Sequence, residues 1–136
     1  MQSLKVRDYM TSNVLTFKRE DSVIDALRRL LKAGRSGGPV VDPAGCVIGM
    51  LSEYDCLKEA LMDGYYQTGS DIVGNHMTCE VDVVNAEDNI LVTSELFLRG
   101  RRRIPVIEDG VLVGIISRVD FARALIANID HPKHGS

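Results

Sequence analysis

Two stretches of the chain place a serine three residues ahead of an aspartate: Ser52-Glu53-Tyr54-Asp55 and Ser117-Arg118-Val119-Asp120. Without a ligand, such a pair is a capping box, in which side-chain oxygens satisfy amide hydrogens left open at a helix start. With a ligand, the same placement describes a site for a nucleoside phosphate. The free amides and positive dipole end of a helix favour a phosphate, and the hydroxyl adds a donor. A carboxylate one turn into the helix repels phosphate but suits the vicinal hydroxyls of a ribose. The pattern alone leaves both readings open.

The two motifs are copies of one another. Gly49-Met50-Leu51-Ser52-Glu53-Tyr54-Asp55 returns 65 positions later as Gly114-Ile115-Ile116-Ser117-Arg118-Val119-Asp120, each behind a Pro-Val strand and a Gly-containing turn. Val6-Arg7-Asp8-Tyr9-Met10-Thr11 likewise returns as Val73-Gly74-Asn75-His76-Met77-Thr78. A repeated unit exposes an apolar face that only a partner unit covers, so function belongs where the copies meet. Gly49 and Gly114 either permit close approach of a ligand or serve tight packing.

The elements that must position these residues are legible in each copy. Val14–Phe17 and Val81–Val84 are β-rich and predict short strands. Glu20-Asp21-Ser22 and Glu87-Asp88-Asn89 mark helix starts. Val23, Ala26, Leu27, Leu30 and Leu31 form an apolar stripe that Gly34 stops; Leu91, Phe97, Leu98 and Gly100 form its counterpart. A hairpin follows, turning at Pro43-Ala44-Gly45 in one copy and Glu108-Asp109-Gly110 in the other. A closing helix runs from about Ser52 to Met62 and from about Ser117 to Ile129. The order is β-α-β-β-α twice, an α/β arrangement: repeat 1 over 6–62, a linker over 63–72, repeat 2 over 73–129 and a flexible tail over 130–136.

Composition narrows the classes. The 136 residues are 45% hydrophobic and 26% charged, which fits one folded domain with a shared core. A net charge of −3 argues against general polyanion binding. No apolar run approaches membrane-spanning length and no signal-peptide core opens the chain, which predicts a cytoplasmic location without membrane contact. Cys46, Cys56 and Cys79 read as free thiols, and His76, His131 and His134 form no metal-ligand pattern. No phosphate-cradling Gly loop, nucleophilic triad or metal cluster emerges, so the expectation is a non-enzyme with no catalytic residues and no metal.

The doubled Gly-h-x-Ser-x-x-Asp motif (h apolar), with Met-Thr near the start of each copy and a Pro-Val strand before each motif, closely resembles the cystathionine-β-synthase-type (CBS) domain pair, or Bateman module. The resemblance covers residues 6 to about 127. It implies two repeats packed through their sheets about a pseudo-twofold axis, with clefts that take AMP, ADP, ATP or S-adenosylmethionine as a regulatory ligand. Carried onto this chain, it assigns ribose hydroxyls to Asp55 and Asp120 and phosphate to Ser52 and Ser117. Thr11 to Val14, Thr78 to Val81, and the residues around Gly38-Pro39 and Ile104-Pro105 become the base pocket. It further implies a disc-like homodimer and an effector protein downstream.

The copies differ at the site. Arg118 and Arg101-Arg102-Arg103 attend the second motif, where the first has Glu53 and Arg35-Ser36-Gly37-Gly38. Guanidinium groups form charge-assisted bonds to phosphate, so the second cleft is the expected stronger site, with at least one of Arg102, Arg103 and Arg118 on the ligand and Ile104 adding apolar contact. A cationic helix end without a ligand accounts for the same arginines. The competing readings are a protein-interaction module with vestigial clefts, and nucleic-acid binding through Arg99–Arg103. Leu57, Ala60, Leu61, Ala122, Leu125, Ile126 and Ile129 are either dimer surface or core.

Overall fold

The computed structural model describes residues 3–62 and 71–130; most of the expected linker and tail lie outside them. The chain divides into two compact units. Leu15–Val81 is the central unit, and Met1–Val14 with Asp82–Ser136 is the terminal unit.

In the central unit the first helix, α1 (Val23–Ala33), forms where its signals agree. Ser22 accepts a hydrogen bond from the Asp25 amide at 3.3 Å, and Gly34 closes the helix in the left-handed region at φ 65°, its N–H reaching the Leu30 and Leu31 carbonyls. Val23, Ala26 and Leu30 face the core, while Leu31 stays 66% exposed. Strands β1 (Gly37–Val41) and β2 (Val47–Ser52) pair antiparallel, with a register shift between Val40 and Val41. Asp42 Oδ1 accepts from the amides of Ala44 and Cys46 and so holds the turn. The predicted Val14–Phe17 strand reduces to one parallel bridge, Phe17 to Val40. The helix α2 (Glu53–Met62) closes the unit.

A single 3-10 turn, Val73–Asn75, completes this unit's core. Val73 N–H bonds the Asp21 carbonyl and Gly74 N–H the Arg19 carbonyl, which seats the fully buried Val73 among Phe17, Leu30, Val40 and Leu51.

The terminal unit repeats the plan. Strand β3 (Val84–Asn85) runs parallel to β4 (Arg103–Glu108), which pairs antiparallel with β5 (Val111–Ser117). Asp109 and Gly110 both have positive φ, 53° and 81°, which fits the tight two-residue turn between β4 and β5. Helix α3 (Val92–Leu98) starts later than Glu87-Asp88-Asn89 suggests. Asn89 spends its side chain on the Leu91 amide at 2.9 Å, Leu91 at the helix entrance offers no capping group, and Thr93 turns its hydroxyl onto the Ile90 carbonyl. Helix α4 (Arg118–Asp130) follows β5 directly. Here the Val6–Asp8 turn docks, Val6 N–H on the Asp88 carbonyl and Arg7 N–H on that of Ala86, and buries Val6 with Val84, Ile104, Val106 and Ile116.

The compact units therefore do not coincide with the sequence copies. Each takes its opening turn from the other copy: Val6 stands in the core of the unit that holds the second motif, and Val73 in the core of the unit that holds the first.

Candidate functional site

Both Ser-x-x-Asp pairs sit where a strand ends and a helix begins, and both close as reciprocal caps. The Ser52 amide donates to Asp55 Oδ2 at 2.9 Å, and the Asp55 amide to Ser52 Oγ at 3.1 Å. In the terminal unit the Ser117 amide and hydroxyl donate to Asp120 Oδ2 at 2.9 and 3.0 Å, and the Asp120 amide returns a bond to Ser117 Oγ at 3.2 Å. The capping reading of these motifs is thus realised in both units. It does not exhaust the groups: a carboxylate has two oxygens and about four acceptor sites, and these bonds use one oxygen. Asp120 is 7% exposed, with Arg123 Nη1 3.7 Å from its Oδ1.

The Met-Thr segments find their place beside the motif of the opposite copy. Thr11 and Ile115 exchange two backbone hydrogen bonds, 2.8 and 2.9 Å, beside Ser117. Thr78 and Met50 do the same, both at 2.9 Å, beside Ser52. The same pairing accounts for the motif glycines. A Cβ on Gly114 would stand 2.6 Å from Met10 Sδ and 2.9 Å from the Thr11 carbonyl oxygen; one on Gly49 would stand 2.6 Å from Met77 Sδ. The close approach that these glycines permit is that of the crossing segment.

The structure groups the expected residues unevenly. Thr11, Val14, Ser117, Arg118 and Asp120 share the terminal unit, and Ser52, Asp55, Thr78 and Val81 the central one. Thr11, Thr78 and Arg118 are exposed. Gly38, Pro39, Ile104 and Pro105 are buried. Ile104, at 0% exposure within the core, has no surface to offer a ligand, which corrects the apolar contact expected of it; β4 buries Ile104, Pro105 and Val106 in an unbroken run. Gly38 has its own reason, since a Cβ there would stand 2.4 Å from the Leu15 carbonyl oxygen.

Charge separates the two helix starts. The Arg118 amide bonds the Arg102 carbonyl at 3.2 Å, which keeps the end of the arginine run beside the second motif. Its counterpart, the Glu53 amide, bonds the Ser36 carbonyl at 2.9 Å and puts a carboxylate at that place. Arg101 is engaged elsewhere, with its Nε 2.9 Å from Asp82.

The CBS domain profile matches residues 6–61 and 70–127. The chain belongs to the CBS domain family. The structure of the CBS-pair protein CBSX2 of Arabidopsis thaliana is similar with a TM-score of 0.83 at 31% identity, over 95% of this chain and 99% of that one. CBSX2 in complex with AMP is similar with a TM-score of 0.78 at 34% identity, over 91% and 97%. A CBS domain pair in complex with 5′-methylthioadenosine and S-adenosyl-L-methionine shares the fold, with a TM-score of 0.75 at 21% identity over 91% and 97%. An uncharacterised protein of Methanocaldococcus jannaschii is 33% identical over 128 residues, 91% of this chain. The chain spans 45% of that relative's length and 42% of a second one from the same organism.

As a CBS pair the chain keeps two α/β units, each with its own motif. No helix among the described residues is long and apolar enough to cross a membrane.

Proposed function

We propose that the chain is a ligand-sensing regulatory module for adenosine-containing molecules, with its stronger site on the terminal unit around Ser117 and Asp120. The observation that carries the reading is that Arg118 opens the helix at the Ser117-x-x-Asp120 pair, bridged to the Thr11 segment, where the central unit has Glu53 at the same place. A phosphate at the α4 N-terminus meets the Ser117 hydroxyl and the Arg118 charge, while Asp120 Oδ1 takes ribose hydroxyls and the Thr11–Val14 segment supplies main-chain groups to the base. CBSX2, similar over nearly this whole chain, binds AMP. The central unit offers Ser52, Asp55, Thr78 and Val81, but Glu53 opposes phosphate and favours a less anionic ligand.

The module signals through population shift, the ligand favouring whichever arrangement binds it more tightly. Apolar residues left open on α2 and α4, Leu57 at 45%, Leu61 at 82%, Ile126 at 56% and Ile129 at 69% exposure, support a homodimer and a protein effector.

Thermal shift against AMP, ADP, ATP, S-adenosylmethionine and NADH tests the reading, because a ligand that binds only the folded state raises the melting temperature by mass action. A flat response across the panel would overturn it in favour of a pure interaction module. Titration calorimetry then separates the sites. Asp120→Ala is expected to cost about 10- to 100-fold in affinity for the best ligand, the range for hydrogen bonds to a charged group, and Asp55→Ala less; equal losses sink the assignment to the terminal unit.

A further inference from the structure

The central unit buries a polar cluster that the terminal unit, built on the same plan, does without. Glu59 of α2 is 3% exposed, and its carboxylate lies with those of Asp71 and the ring of His76 so that one ligand atom from each falls within 4.8 Å of the other two. His76 Nε2 is 2.5 Å from Asp71 Oδ2. At the corresponding places of the terminal unit stand Ala124, Leu4 and Tyr9, which belong to or pack against its hydrophobic core. The fold thus needs no charge here. A buried carboxylate held beside a second, part-exposed one is costly unless something compensates the pair.

We propose that Glu59, Asp71 and His76 bind a divalent transition-metal ion, with Zn2+ the best fit. One imidazole nitrogen and two carboxylate oxygens, with a remaining position for water, is a three-ligand set that zinc accepts. Tetrahedral ligands at about 2.0–2.2 Å from zinc stand roughly 3.4 Å apart, so the cluster closes on the ion by small side-chain movements. The supporting groups are in place. Asn75 Nδ2 and the Ile72 amide both donate to Asp71 Oδ1, at 2.9 and 2.8 Å, which turns Oδ2 toward His76. The Val73–Asn75 turn fixes the spacing of Asp71 and His76, and their side chains, 28% and 20% exposed, give the ion access from solvent. On binding, the ion takes the place of the hydrogen bond between His76 Nε2 and Asp71 Oδ2, and the neutral imidazole carries its proton on Nδ1.

The test uses the full chain stripped with EDTA, Co2+ as the visible probe and Zn2+ in competition and by calorimetry. One ion per chain is expected, with intense low-coordinate Co2+ bands that Zn2+ abolishes and a Zn2+-dependent rise in melting temperature. His76→Ala and Glu59→Gln are expected to weaken binding at least about 10- to 100-fold, the loss seen even when only groups behind the ligands are removed. The triple variant Glu59→Ala, Asp71→Leu, His76→Tyr reproduces the terminal unit's packing; it is expected to fold without metal and to show no Zn2+ response. The double variant His131→Ala, His134→Ala is expected to bind as the parent does. An undiminished Co2+ spectrum in His76→Ala, loss of binding in the tail variant, a parental Zn2+ response in the triple variant, or no Zn2+ response in the parent overturns the proposal.

Discussion

Arg118 and Glu53 occupy the same place in the two copies, immediately after the motif serine, and each opens a helix. A helix start already favours an anion, so the side chain at that place decides whether the preference is enhanced or cancelled. Arg118→Glu is therefore expected to weaken ATP about tenfold or more while leaving adenosine within about threefold, since only the phosphates feel the change. Calorimetry with both ligands checks it, and equal losses would mean that the arginine serves the fold. Cys56 shows a different effect of place. Fully buried in the central core, it has its thiol pushed up to about 11, first by burial and then by Asp55. The unfolded thiol loses its proton from about pH 9 while the folded one keeps it, so stability present below pH 9 is lost as the pH rises toward 11, by at most about 2–3 kcal/mol. Denaturant melts between pH 8 and 11 measure this, and Cys56→Ala should flatten the dependence. In the native protein at pH 8 a maleimide should take the exposed Cys79 and spare Cys56.

At the scale of elements, the motif glycines make room for the crossing Met-Thr segments. Gly114→Ala pushes a methyl against the Met10 side chain and, less forgivingly, the Thr11 carbonyl. Overpacking of this kind costs about 1–3 kcal/mol, and thermal melts should show it. Because Thr11 would move, nucleotide affinity should fall with it, whereas Gly110→Ala, strained at φ 81° but facing open space, should cost stability alone. Elements whose signals agree locally were legible: α1 has its cap, stripe and glycine stop, and the hairpins have their turns. Elements that depend on a distant partner were not. Val14–Phe17 has strand composition but only Phe17 meets a neighbour, and Asn89 carries a capping side chain that a preceding turn consumes. Ile104 read as a ligand contact because its place before a proline was visible while its burial on both faces of β4 was not. Glu59, Asp71 and His76 lie too far apart in sequence, and with too little pattern, to be seen together.

At the scale of the molecule, the repeat was plain but the compact units were not, because similarity between copies reports ancestry of segments and says nothing of which copy a segment packs in. The central unit takes from beyond α2 the buried Val73, two docking bonds at Asp21 and Arg19, and the two-way bridge of Thr78 to Met50. Burying a valine is worth about 1.5–3 kcal/mol and each backbone bond about 1 kcal/mol net. A unit of this size has a total stability of only about 3–10 kcal/mol, so losing these contacts removes most of it. A fragment cut at the sequence repeat, residues 6–62, is therefore expected to show no cooperative transition. The fragment Leu15–Val81 keeps every member of its core cluster and should melt cooperatively. Circular dichroism melts of the two decide it. Cooperative unfolding of 6–62 with none for 15–81 would mean that the copies fold as they are written and that the exchanged turns are secondary attachments.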